Sequence, residues 1–138
     1  MTARFRLTMA TQTGEKLARD EGFSAFPVDP IAIARKHGIH VEQKPPDMKG
    51  ISGALIFADP NPIIIYSTEH ANEGFENFSV AHELGHYFLP GHPDEIMKAG
   101  GAHMSRSDFS QGDSSIELEA DHFAAGLLMP SSLVRKSL

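Results

Sequence analysis

Residues 81–86 read Ala-His-Glu-Leu-Gly-His, which places His82, Glu83 and His86 in the spacing His-Glu-x-x-His. Side chains four apart on a helix lie one turn apart on the same face, so His82 and His86 can grip one metal ion between them. Glu83 falls about 100° further round the helix. That sets it beside the ion rather than among its ligands, where a carboxylate can act on an attacking water. The rival reading is two solvated histidines that share a helix. Chance alone gives this pattern in roughly 3% of chains of such composition, so the pentapeptide needs support from a third ligand.

A catalytic zinc usually takes three protein ligands and keeps one position for water. The sequence has no cysteine, so the third ligand must be His, Asp or Glu. The segment IELEADHF (116–123) supplies candidates. Glu117 and Asp121 are four apart and share a face, whereas Glu119 lies about 200° from Glu117, so only one of the two glutamates can point at a given ion. Ile116, Ala120, Phe123, Ala124 and Leu127 form an adjoining apolar stripe, and a carboxylate at its edge is costly to bury unless a charged partner meets it. A competing role for Glu117 is the third position of a capping box begun by Ser114. Asp121 on the same face favours the ligand role, because it can then accept the free ring N–H of a ligand histidine and fix its tautomer. His92 is the one remaining histidine near enough to the motif in sequence to compete as a ligand. It reads as solvated, as do His70 and His122; His37 suits a helix C-terminus and His40 a strand.

The elements that must hold these residues can be read from pattern. A helix is expected over 11–22 and another over 30–37, the second with Asp29 as N-cap, Pro30 at its first position and Gly38 at its stop. Strands are expected over 39–43, 51–57 and 62–67, the last two joined as a hairpin through Ala-Asp-Pro-Asn. The motif helix spans 72–89 and stops at Pro90-Gly91. Residues 91–115, rich in Gly, Ser, His and Asp, read mostly as a long functional loop. The last helix runs over 115–129 and stops at Pro130. The expected fold is one α+β domain over 1–138, a small three-stranded, mainly antiparallel sheet with helices packed on one face.

Composition narrows the function further. The 138 residues carry a net charge of −6, and their Lys and Arg are scattered, which argues against a nucleic-acid-binding role. The absence of cysteine suits a reducing cytosol. The N-terminal stretch carries Arg4 and Arg6 with no apolar run behind them, unlike a signal peptide, and no stretch is long and apolar enough to span a membrane.

The stretches FSVAHELGHYFLPGH (78–92) and ELEADHFAAGLLMP (117–130) together resemble the ImmA/IrrE family of metallopeptidases. VDPIAIARKHGI and GALIFADPNPIIIYS resemble the family's N-terminal half, so the likeness runs over about residues 25 to 132. It implies a zincin-like, gluzincin-type site with His82, His86 and Glu117 as zinc ligands and Glu83 as base. The Glu-x-x-x-Asp spacing implies that Asp121 supports a ligand histidine. It also implies a cytoplasmic, bacterial or phage-associated zinc endopeptidase that regulates transcription by cutting a helix-turn-helix repressor. Many relatives continue into further helices or a sensor domain, whereas this sequence ends eight residues after Pro130. Manganese, iron or cobalt would also suit the ligand set. Two other readings remain open: a module that binds the repressor without cutting it, and a toxin-like protease with another cellular target. The sequence is silent on oligomeric state.

Peptide hydrolysis needs a group to stabilise the oxyanion. His103, in Gly-Gly-Ala-His-Met-Ser-Arg, is the preferred candidate, on the expectation that a mobile loop carries it over the substrate; Tyr66 and Tyr87 are the others. The strand over 51–57 is a candidate to pair with an extended substrate, against the plainer role of packing the sheet.

Overall fold

The computed structural model describes residues 2–22, 27–106 and 115–130. These form the helices α1 (Ala3–Asp20), α2 (Pro30–Lys36), α3 (Glu73–Phe88), α4 (His92–Lys98) and α5 (Ser115–Leu128), and the strands β1 (His40–Gln43), β2 (Ile51–Ile56), β3 (Ile63–Tyr66) and β4 (Ala102–Arg106). The fold is α+β. The strands make one mixed sheet in the order β1-β3-β2-β4, with β1 parallel to β3 and both other pairs antiparallel.

Helices start where side chains can satisfy free backbone N–H groups. Thr2 accepts from the Phe5 N–H, Asp29 from Ala32 and Asn72 from Phe75. Pro30 opens α2, where its missing N–H costs nothing. Glu73 and Glu76 sit in the first turn of α3, favourable against the helix dipole.

The elements stack away from one face of the sheet. α3 lies on β2 and β3, α5 packs on α3, and α1 packs on α5. Val41, Ile64, Leu55 and His103 are in register across the four strands. Their shared face meets α3, because Val41, Ile64 and Leu55 join Val80, Ala81 and Leu84 in one core. α5 adds Phe123, Ala124 and Leu127 to it, all fully buried; burying a side chain as large as Phe123 contributes on the order of 1.5–3 kcal/mol.

The structure departs from the expected elements in three places. The sheet has four strands among the described residues, because residues read as loop contain α4 and β4. Helix α4 is only seven residues long. Strand β4 hides its inward face from pattern reading, since His103 and Ser105 point inward and no β-branched residue marks it. Helix α1 begins at Ala3, well before residue 11. Its buried stripe is Ala10, Gly14 and Ala18, residues too small to register as an apolar pattern. No helix among the described residues is long and apolar enough to cross a membrane.

Candidate metal centre

Helix α3 passes between the sheet and α5, so every residue from Ser79 to His86 is buried. Val80, Ala81 and Leu84 face the hydrophobic core. His82, Glu83 and His86 face α5 and β4. Gly85 lets α5 come close: a Cβ there would lie 3.1 Å from the Ala120 Cα. Ala120 is three residues after Glu117, so this contact brings the Glu117 carboxylate against both histidines.

The geometry is convergent. His82 Nε2 and His86 Nε2 lie 3.2 Å apart. Glu117 Oε2 is 3.2 Å from the first and Oε1 is 2.9 Å from the second. The remaining ring nitrogen of His82 is committed, with Nδ1 donating to Asp121 Oδ1 at 2.8 Å. His86 Nδ1 lies 3.0 Å from His92 Nδ1. Thus both rings turn Nε2 toward one point, with a carboxylate facing them. Two imidazole nitrogens and one carboxylate oxygen within a few ångströms of one another could hold a divalent metal ion, and their chemistry fits zinc.

Glu83 is fully buried beside this point. Its Oε2 accepts from the Ser105 hydroxyl at 2.7 Å and its Oε1 lies 3.2 Å from His103 Nδ1. His103 Nε2 reaches Glu117 Oε1 at 2.5 Å. His103 therefore bridges the two glutamates.

The charges explain what the cluster is suited to hold. Burial opposes a charged ring at His82, but hydrogen bonds to Asp121 and Glu117 override it and push its pKa up to about 10. At His103 burial is likewise overcome by hydrogen bonds to Glu117 and Glu83, which bring its pKa to about 9. Burial alone would raise Glu117; hydrogen bonds from His103, His82 and His86 instead hold it far below the usual carboxylate range. Glu83 is lowered too, its burial outweighed by the His103 hydrogen bond and the charge of the neighbouring imidazoles. Burial dominates at His86 and lowers its pKa. Two carboxylates stay ionised around a point that attracts positive charge and can receive a cation.

A cleft of about 280 Å³ opens onto this point. Phe75 and Phe78 wall one side, and His82, Glu83, Ser105 and Asp121 line the floor.

Three sequence expectations are corrected. His103 is not on a loop: it sits on β4, paired with Leu55, and strand register aims it at α3. The strand over 51–57 cannot receive a substrate strand, because β2 is bonded to β3 on one edge and β4 on the other. His92 is not solvated but 1% exposed, and among the described residues it joins no ligand cluster. Tyr66 and Tyr87 pack against the hydrophobic core and do not line the cleft. His37, His40, His70 and His122 are exposed. Ser114, the capping residue considered for Glu117, lies outside the described residues.

Sequence reasoning missed Ser105 and Arg6, and weighed Glu119 only as a rival to Glu117 for the metal. Ser105 stands two residues after His103 and so shares its strand face, but the segment carries no strand signal in the sequence. Glu119 accepts from His92 Nε2 at 2.9 Å and pairs with Arg6 at 3.1 Å; both contacts depend on helix packing and leave no local signal.

The family described as peptidase M78, IrrE N-terminal-like domain, matches residues 34–138. No curated protein matches the chain. The matched region carries α3, β4 and α5, and with them His82, Glu83, His86, His103, Glu117 and Asp121. A match over most of the chain shows that this protein belongs to the peptidase M78 family of IrrE N-terminal-like domains.

Proposed function

We propose that the protein is a zinc-dependent endopeptidase that hydrolyses a peptide bond in a protein substrate, and that this substrate is a helix-turn-helix repressor. The observation that carries the catalytic reading is the convergence of His82 Nε2, His86 Nε2 and the Glu117 carboxylate beside a fully buried Glu83. His82, His86 and Glu117 would hold the zinc, which when bound would supply Lewis acidity and lower the pKa of an attacking water. Glu83, ionised, accepts a proton from the attacking water and returns it to the leaving amine. Ser105 and His103 hold its two carboxylate oxygens in place. His103 stands on β4 across from α3, where its N–H would donate to the developing oxyanion.

An extended peptide would add to β4, whose edge away from β2 carries no strand among the described residues. It would then run over the cleft and present its side chains to Phe75 and Phe78. The surplus of negative charge, −6 over the chain, complements a basic DNA-binding partner. Membership of a peptidase family supports a protein substrate. A cytoplasmic site of action agrees with a chain free of cysteine.

The test begins with metal content. Protein purified without tag or chelator is expected to hold about one zinc per chain, and Glu117→Ala to lose it. Glu83→Gln is expected to keep the metal and lose cleavage of a co-expressed repressor by at least about 100-fold. A Glu83→Gln protein that still relieves repression would replace the protease reading with a repressor-binding module. A repressor left intact while another protein is cut would redirect the substrate assignment.

A further inference from the structure

Resting on the metal reading above, we infer that His92 and Glu119 are positioning residues for the ligand His86, and that Arg6 of α1 anchors the far end of that chain. The observation is a continuous run of contacts leading away from the metal point. His86 Nδ1 lies 3.0 Å from His92 Nδ1, His92 Nε2 lies 2.9 Å from Glu119 Oε1, and Glu119 Oε2 lies 3.1 Å from the Arg6 guanidinium. His86 and His92 are 0% and 1% exposed, and Glu119 is 6% exposed.

Metal ligation fixes the direction of every bond in this run. A neutral imidazole carries one N–H. When His86 gives its Nε2 lone pair to a metal, its hydrogen resides on Nδ1 and donates to His92 Nδ1. His92 must then accept at Nδ1, so its own hydrogen resides on Nε2 and donates to Glu119. Glu119 accepts there and meets Arg6 with its other oxygen. No other assignment of single hydrogens satisfies all four groups with both rings neutral.

The two ligand histidines are thus supported in different ways. His82 donates directly to the half-exposed Asp121 carboxylate. His86 reaches its carboxylate through a buried neutral ring. Groups behind metal-bound histidines orient the ring and raise its basicity, and their loss typically weakens metal binding about 10–100-fold. Glu119 provides the same kind of anionic support as Asp121, one ring further out. Helix α4 delivers the intervening ring, since His92 is its first residue. The alternative is a buried polar cluster that only holds α4 and α5 together. Such a cluster would affect stability and leave the metal untouched.

The experiment measures zinc and cobalt affinity by chelator competition, with the visible spectrum of the cobalt protein as a direct view of the ligand field. Glu119→Gln keeps an acceptor for His92 and removes the charge; it is expected to weaken metal binding by about 10-fold. His92→Ala is expected to weaken it by up to about 100-fold and to shift the cobalt bands. Arg6→Ala acts at the half-exposed end and is expected to give a smaller loss, which keeps the test valid should His92→Ala fold poorly. Glu95→Gln on the exposed side of α4 is expected to match wild type. Folded Glu119→Gln and Arg6→Ala proteins with wild-type affinity and spectrum would overturn the inference and leave the metal reading intact. Wild-type protein that binds neither metal would overturn both.

Discussion

His82 and His103 keep a proton in the metal-free fold because Glu117, Glu83 and Asp121 surround them, and that arrangement has a measurable dependence on pH. Their folded pKa values, about 10 and about 9, lie above the value of about 6.5 for an unfolded histidine. The stability they contribute is complete below pH ~6.5 and is lost as pH rises through ~9 to ~10. Glu117 and Glu83 are shifted the other way, so their contribution is present above pH ~4.5 and disappears in acid. Metal-free protein should therefore lose stability from pH 6.5 to 10. Zinc-loaded protein should hold its stability there, because the metal replaces the His82 proton. Denaturant midpoints across that range, with chelator and with zinc, check this; a metal-free midpoint constant from pH 6.5 to 10 would contradict it. The residues that drive this effect differ in how far the sequence exposed them. His82, Glu83, His86, Glu117 and Asp121 lie on helices, where spacing alone assigns a shared face. His103 and Ser105 reach Glu83 only through the pairing of β4 with β2, and His92 reaches Glu119 only through the packing of α4 and α5 on α3.

At the scale of the elements, α5 is the piece that assembles the site, and it is held at unusually short range on both sides. A Cβ at Gly126 would lie 2.2 Å from the Thr11 carbonyl oxygen of α1, and one at Gly14 would lie 2.2 Å from the Phe123 carbonyl oxygen of α5. The two helices therefore touch backbone to backbone. Gly126→Ala would gain up to about 1 kcal/mol of helix propensity, but the clash is with backbone and cannot be relieved by a rotamer. Overpacking of this kind costs about 1–3 kcal/mol or more, so a net loss of stability is expected, read as a lower urea midpoint. An unchanged or higher midpoint would show that α1 and α5 can separate freely. The same small-residue packing explains why α1 was legible only from residue 11: the stripe Ala10-Gly14-Ala18 carries the contact through closeness rather than through apolar bulk. By contrast α2 and α3 announce their starts through Asp29-Pro30 and Asn72, and the β2–β3 hairpin announces itself through two β-branched runs either side of a turn.

In the whole molecule, the layers run from sheet to α3 to α5 to α1, and the metal point lies where α3, α5 and β4 meet. The α+β class and the position of three strands were legible because each buries an apolar face in one core. The fourth strand was not, because its inward residues, His103 and Ser105, bond to Glu83 and carry no apolar signature. This stacking also makes the candidate site and the core share parts. Gly85 serves the contact with Ala120 that sets the reach of Glu117, while Phe123 and Leu127, on the same helix, supply core. The outermost layer, α1, has a further meaning for anyone drawing the limits of the domain. The likeness to the family begins at residue 34, which leaves α1 outside it. Yet removing α1 would uncover the face of α5 that meets Ala10, Gly14 and Ala18, and would strip Glu119 of Arg6. A fragment of residues 27–138 should therefore self-associate and bind an apolar dye, where the full chain elutes as a discrete species and does not. A fragment as soluble and as stable as the full chain would show α1 to be dispensable. The expected cooperative unit thus starts earlier in the chain than the interval that the family match recognises.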